Sequence, residues 1–329
     1  MKKLAYPLRA AIAAMTALAA WSLAPPSAQA QAQYPNQSIK FVVPYAPGGL
    51  PDTVARIVAQ HMQTRIGQTV VVENRPGGGG SVAAVGLASA PADGYTLIVT
   101  DGSFLSINPH MMAKLSYNPK DFVPVAFLAR APLFLATHPS VPVNSFKEFV
   151  DYVKARPGQI NYGSSGVGST HHLTMEALKV ALKLEMTHLP YRGTGQSVPA
   201  LLGGHVPVLF SAYPSLAGAV SDNRVKLLAT NGATRSSQAP NVPAIAESIP
   251  GFDFAPIVGI FARTGTPPAV IQKIAAEAGA AAKLPEAAKQ FATAGIEPVG
   301  TGSDDFNKAL NGEIDRVAAA VKAAGIKPQ

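Results

Sequence analysis

The 329-residue chain contains no cysteine. A thiol nucleophile, a thiolate metal site, a disulfide framework and a lipid-modified N-terminal cysteine are therefore all excluded. Charge is sparse, at 14% of residues, and although the formal net charge is +8 there is no run of lysine or arginine. Nucleic-acid binders gather basic residues into a stripe with aromatics nearby, so a nucleic-acid partner is not expected. A diffuse positive field suits the attraction of small anions instead.

Several catalytic signatures are missing too. There is no H-E-x-x-H helix, and no Gly-Lys-Ser/Thr completes a phosphate loop at "NRPGGGGS" (74–81). "GSSGVG" (163–168) holds its serines at the wrong offset for a G-x-S-x-G elbow, and "GVGSTH" lacks the third glycine of a dinucleotide fingerprint. Ser164, Ser165 and Ser169 lie near His171 and His172 in sequence, which raises a serine hydrolase as a rival reading. Triads assemble from distant positions, however, so sequence proximity is weak support. Adjacent histidines also point to different faces of a helix, which argues against a shared metal. No enzyme activity, no cofactor and no metal site is expected, and His188 reads as a packed or hydrogen-bonded histidine.

What the chain does have begins with a leader. Lys2, Lys3 and Arg9 precede an almost wholly apolar stretch from Ala10 to Leu23, and "SAQA" sets Ala28 and Ala30 at the small-residue positions of a cleavage site. This is the pattern of a secretory signal peptide over residues 1–30. A spanning helix needs about 20 apolar residues, and Pro25-Pro26 ends this run short of that. No second run of spanning length follows, so the expected product is a free periplasmic protein.

The remainder alternates strand-like and helix-like segments. "SIKFVVP" (38–44), "TVVVE" (69–73) and "YTLIVTD" (95–101) read as strands. Between the first two, Val54, Val58, Met62 and Ile66 make a single i, i+4 stripe. "NRPGGGGSVAAVGLASA" reads as a glycine-opened helix. Such alternation predicts a parallel sheet covered on both faces. A second α/β unit follows. "PLFLATH" (132–138), "QINYGSS" (159–165), "VPVLFSA" (206–212) and "VKLLATN" (225–231) are its strands. Ser145 with Glu148 forms a capping box, Arg156-Pro157-Gly158 closes that helix, and another helix starts near Thr170. Residues 303–324 carry Phe306, Leu310, Ile314, Val317 and Val321 on one helical face. The predicted fold class is α/β, in two domains joined by crossing strands. The boundaries are 34–128 plus 232–329 for the first domain and 129–231 for the second.

In α/β sheets, ligands bind beyond the carboxyl ends of strands, where helices begin. Helix N-termini there offer unpaired N–H groups and about half a positive charge, and glycine lets the backbone approach an anion closely. Two segments fit. Tyr45-Ala46-Pro47-Gly48-Gly49 leads to Asp52, a helix cap or loop brace. Gly163 to Thr170 adds hydroxyls at Ser164, Ser165, Ser169 and Thr170 to its amides. Ser103 in "DGS" (101–103) is a further candidate. In "YRGTGQSVPALLGGHV" (191–206), Tyr191 ends a strand and Thr194 opens a helix with Val198, Leu201 and Leu202 on its buried face.

Taken in order, "YPNQSIKFVVPYAPGGLPDTVAR", "VVENRPGGGG", "ADGYTL", "INYGSSGVGSTHHL", "HLPYRGTG", "ALLGGHV", "NVPAIAE" and "GTPP" resemble the Bug family, periplasmic solute receptors of the tripartite tricarboxylate transporter type. The resemblance implies a two-domain periplasmic binding protein of type II-like architecture, each domain a mixed, mostly parallel sheet flanked by helices. It implies capture of a small carboxylate by closure of the domains, mainly through backbone amides and ordered water. Tyr45, Ala46, Gly48, Gly49, Asp52 and Ser103 would contribute from the first domain. Ser164, Ser165, Gly168, Ser169, Thr170, Tyr191 and Thr194 would contribute from the second. Membrane permease subunits or a sensor protein are the implied partners, and the chain is expected to be a monomer. A periplasmic scaffold or sensor domain without small-ligand affinity is the alternative.

The chain departs from the family pattern at Leu50-Pro51, at "IVGIF" (257–261), which lacks a tryptophan, and at Ser211-Ala212, where the family often has Asp-Asn. The missing aspartate removes the obvious partner for a ligand ammonium group. A plain mono- or dicarboxylate, aromatic ones included, is therefore the expected ligand.

Overall fold

The run Ile39–Val43 (β1), apolar except at Lys40, lies inside a six-stranded sheet, and the burial of its other four residues shows that both faces are covered. The computed structural model describes residues 34–323 and 325–328; the expected leader lies outside the described residues. β1 pairs in parallel with Val70–Asn74 (β2) on one side and Thr96–Asp101 (β3) on the other. Between β1 and β2 runs α1 (Leu50–Ile66), which buries Val54, Val58 and Met62 and ends at Gly67 with a left-handed φ of 66°. Ser81–Ser89 (α2) connects β2 to β3, and the short helices Ser103–Ser106 (α3) and Asn108–Met111 (α4) follow β3.

The first sheet is not wholly parallel. Phe122–Arg130 (β4), Ile257–Arg263 (β10) and Glu297–Thr301 (β11) complete the order β11-β4-β10-β3-β1-β2. β10 runs antiparallel to both β3 and β4, because it returns from the second sheet in the opposite sense.

That second sheet has the order β7-β6-β8-β5-β9. Its strands are Leu133–Thr137 (β5), Ile160–Ser164 (β6), Met186–Pro190 (β7), Val208–Ala212 (β8) and Lys226–Thr230 (β9). β6 is parallel to β7 and β8, while β5 runs against both β8 and β9. Phe146–Lys154 (α5) starts at Ser145, whose Oγ accepts the Glu148 N–H at 3.1 Å. The return half of the box is displaced by one residue: Glu148 Oε2 accepts the Asn144 N–H at 2.7 Å. Thr170–Leu182 (α6) and Thr194–Leu202 (α7) follow β6 and β7.

The chain crosses between sheets twice, at 131–132 and at 231–256, and residues 37–329 cluster as one unit. Asn231, fully buried, ties the two crossings together. Its Oδ1 accepts the Leu133 N–H at 2.7 Å and its Nδ2 donates to the Phe254 carbonyl at 2.8 Å. The helix Ser303–Ala323 lies over the first sheet with Phe306 stacked on Phe127 and tilted against Phe261. Gly259 permits that approach, since a Cβ there would meet the Phe306 ring at 2.3 Å. Farther along, Val317 and Val321 meet Ile107 and Leu173, an apolar contact spanning both lobes.

Candidate functional site

The carboxyl ends of β1, β3 and β6 face one another across a cleft of about 420 Å³. From the first lobe it is lined by Tyr45, Gly79, Asp101, Ser103, Ile107, Asn108 and Met111, and from the second by Ser165 to His171. This is the position that strand direction dictates for ligands in α/β sheets. No lysine or arginine is among these lining residues.

On the first lobe, Tyr45 Oη lies 2.8 Å from Ser103 Oγ and 3.2 Å from Asp101 Oδ1. Ser103 turns its own hydroxyl onto Asp101 Oδ1, which also accepts the Ser103 N–H at 3.2 Å. Burial pushes the Asp101 carboxyl up, and burial with the Asp101 charge pushes the Tyr45 phenol up, so that the phenol stays protonated. The turn from 44 to 49 is braced by Asp52, which is 3% exposed. Its Oδ2 accepts from Gly48 N–H (2.9 Å) and Arg56 Nε (3.0 Å), and its Oδ1 from Asn74 Nδ2 (2.9 Å). Burial alone would raise this carboxyl, but the Arg56, Gly48 and Asn74 hydrogen bonds outweigh it and hold the pKa low.

α1 itself begins without a side-chain cap at Gly49. The N–H groups of Gly49, Leu50 and Asp52 have no acceptor among the described residues. α6 is capped differently. Ser169 Oγ accepts the His172 N–H at 3.2 Å, while the N–H groups of Val167, Thr170 and His171 are left without an acceptor among the described residues. Ser165 Oγ and His171 Nδ1 are 2.7 Å apart, and burial lowers His171 to about 4, so its ring is neutral at physiological pH. No carboxylate is bonded to His171 among the described residues, so the Ser165–His171 pair lacks the third member of a hydrolytic triad. His172 points away, stacked on His188 at 3.9 Å.

Six of the residues expected from sequence line the cleft: Tyr45, Ser103, Ser165, Gly168, Ser169 and Thr170. Ala46, Gly48 and Gly49 sit exposed on the adjoining turn. Five of the expected residues are engaged within the protein. The Gly48 amide is spent on Asp52 and the Gly168 amide on His172 Nδ1 (3.1 Å), so these glycines supply left-handed φ angles of 85° and 75° rather than free donors. Asp52 is a brace with both oxygens occupied. Ser164 is 1% exposed and its Oγ is held by His188 Nε2 at 2.6 Å and the Gly166 carbonyl at 3.1 Å. Ser169 serves chiefly as a cap, its Oγ donating to the Gly166 carbonyl at 2.7 Å. Tyr191 lies on the neighbouring loop, whose Gly193 N–H bonds the Ser165 carbonyl at 3.1 Å, and Thr194 opens α7 just after it.

Sequence reasoning missed Gly79, Asp101, Ile107, Asn108 and Met111. It also took the missing aspartate at Ser211-Ala212 to remove the obvious partner for a ligand ammonium group; Ser211 is fully buried, and Asp101 places a carboxylate at the cleft wall from another strand. Among the described residues no cluster of His, Cys, Asp or Glu is arranged to hold a metal ion, and no helix is long and apolar enough to cross a membrane.

The profile of the tripartite tricarboxylate transporter family receptor matches residues 54–326. The protein BugT of Bordetella pertussis is 32% identical over 297 residues, covering 89% of this chain and 91% of BugT. An R. palustris structure with adipate superposes with a TM-score of 0.76 at 31% identity, covering 90% of this chain and all of the other. MatC from Rhodopseudomonas palustris with bound malate gives a TM-score of 0.70 at 31% identity, covering 88% of this chain and all of MatC.

Proposed function

The chain belongs to the tripartite tricarboxylate transporter receptor family, a Bug-type binding protein rather than an enzyme, and from that premise we propose that it captures a small carboxylate in the periplasm. The observation that carries this is the pairing of two helix entrances. α1 offers unpaired N–H groups at Gly49, Leu50 and Asp52 on the turn that adjoins the cleft next to Tyr45, and α6 offers them at Val167, Thr170 and His171 in the cleft lining itself. Unpaired amides with the positive end of a helix dipole favour an anion. The absence of any cationic side chain from the lining leaves the backbone as the source of charge complementarity. The adipate and malate held by the two structural relatives are ligands of this class.

Capture works by closure. A carboxylate bridging both amide sets stabilises the arrangement in which the lobes approach, since only there are both sets of contacts made. Removal of water strengthens each charge-assisted hydrogen bond. The 34–128 plus 232–329 and 129–231 divisions are the moving bodies, and Asn231 marks the pivot. The loaded receptor then delivers its cargo to a membrane permease for uptake. Isothermal titration and thermal melting with a panel of mono- and dicarboxylates test this. A bound acid at 100 times its Kd stabilises the fold by about 2.7 kcal/mol. Silence from the whole panel, in heat and in melting, refutes the receptor reading and favours a ligand-free scaffold.

A further inference from the structure

The receptor reading leaves open what the rest of the ligand looks like, and the side chains of the first lobe constrain it. Tyr45 and Ser103 own two hydroxyl protons, and both are spent among Tyr45, Ser103 and Asp101 Oδ1. Asp101 Oδ2 takes no hydrogen bond from any described residue.

Asn108, 7% exposed, donates both Nδ2 hydrogens inward, to the Gly79 carbonyl at 2.8 Å and Tyr117 Oη at 3.2 Å. The orientation of that amide is unambiguous. The Gly79 carbonyl can only accept, and Tyr117 has committed its own proton to the Phe104 carbonyl. Asn108 Oδ1 therefore sits at the cleft wall with no donor among the described residues.

The opposite wall has the reverse polarity. The Ser165–His171 pair holds two exchangeable protons and uses one between its members, whichever tautomer is present. The other proton remains to be donated, beside the free amides of Val167, Thr170 and His171 and the Thr170 hydroxyl. Among the residues that line the cleft, donors on the second lobe thus face acceptors on the first, whose own free amides lie on the adjoining turn at α1.

Resting on the receptor reading above, we infer that Asp101, Asn108 and Tyr45 form an acceptor subsite that selects carboxylates bearing a hydrogen-bond donor, a hydroxyl or an ammonium group. A plain dicarboxylate turned toward this wall would set a second anion against an acceptor-only surface and leave buried acceptors unpaired, which is costly. A ligand hydroxyl, with one proton, satisfies one of Asp101 Oδ2 and Asn108 Oδ1, and an ammonium group has protons for both. This reverses the expectation, drawn from Ser211-Ala212, of a ligand without such a group.

The test is titration of the leaderless chain with matched acids: succinate against malate and aspartate, and phenylacetate against mandelate and phenylglycine. In at least one series the donor-bearing acid is expected to bind about tenfold or more tightly than its plain parent, the effect of one hydrogen bond to a charged group. Preference for hydroxyl or for ammonium then tells which donor is read. Asp101→Ala should bring the ratio within about threefold, and Asn108→Asp, which restores no donor, should leave it high. Thermal melts of each variant confirm folding. Parents binding as tightly as their donor-bearing partners, or Asp101→Ala weakening both alike, overturns the subsite while leaving the receptor reading intact. Absence of binding by every acid sinks both.

Discussion

Glu313 lies beneath the cleft, with Oε1 accepting the Ser106 hydroxyl at 2.5 Å and Asp101, Arg316 and Asp253 around it. Burial is the main reason its carboxyl is raised to about 7, and the Asp101 charge adds to the shift. The folded state therefore binds a proton that the unfolded chain has already released. Stability from this group is full below the ordinary glutamate pKa, near 4.5, and is lost as pH rises through about 7. Glu313→Gln keeps an acceptor for Ser106 and removes the titration. It should match the parent at pH 4.5 and exceed it at pH 8 by on the order of 1–3 kcal/mol. Urea unfolding across pH 4.5–8 reads this directly, and two parallel curves would show that Glu313 does not titrate within the fold.

The two helices that open on the cleft solve the problem of their first turns in opposite ways. α6 spends the Ser169 hydroxyl on its own His172 amide, whereas α1 starts at Gly49 with no cap at all. Gly49 has φ −77° and ψ 171°, ordinary extended geometry, and a Cβ there meets nothing closer than the Ala46 carbonyl at 3.7 Å. Nothing steric requires glycine, so the missing cap is open to any side chain. Gly49→Asp should stabilise the helix by a few tenths of a kcal/mol, the ordinary gain of Asp over Gly at an N-cap. At the same time its carboxylate would occupy the amides proposed to hold the ligand and cut affinity on the order of a hundredfold. A stabilised variant with undiminished carboxylate binding would move the anchor elsewhere.

Much of this was legible at the level of elements. The Val54, Val58, Met62 stripe and the β-branched runs located their helix and strands to within two residues. β4 was harder to see, because Pro124 interrupts it; the proline is accommodated beside a register shift against β10. The site was half legible. Glycine and hydroxyl patterns identify loops, but which loops converge depends on strand order. Asp101, Asn108 and Gly79 reach one cleft only because β3 lies beside β1.

At the scale of the whole molecule, the proposed closure would have to work against contacts that already join the lobes. The Ile107, Leu173, Val317, Val321 cluster and the Arg130–Asp253 pair at 2.7 Å lie behind the cleft and near the crossings. Such contacts favour rotation about the crossing segments as the proposed motion, since sliding would break the Asn231 bonds to Leu133 and Phe254. A rotation narrows the cleft mouth and leaves the back packed. Because the chain has no cysteine, two introduced ones can be labelled without background. Val71→Cys on β2, at a position 45% exposed, and Lys147→Cys on α5 place one dye on each lobe. Single-molecule energy transfer should show a distance change on adding an acid that binds, and none when Gly49→Asp is introduced into the same chain. A distance unchanged by a bound acid would mean that the cleft is preformed, and affinity would then owe nothing to the approach of the two amide sets.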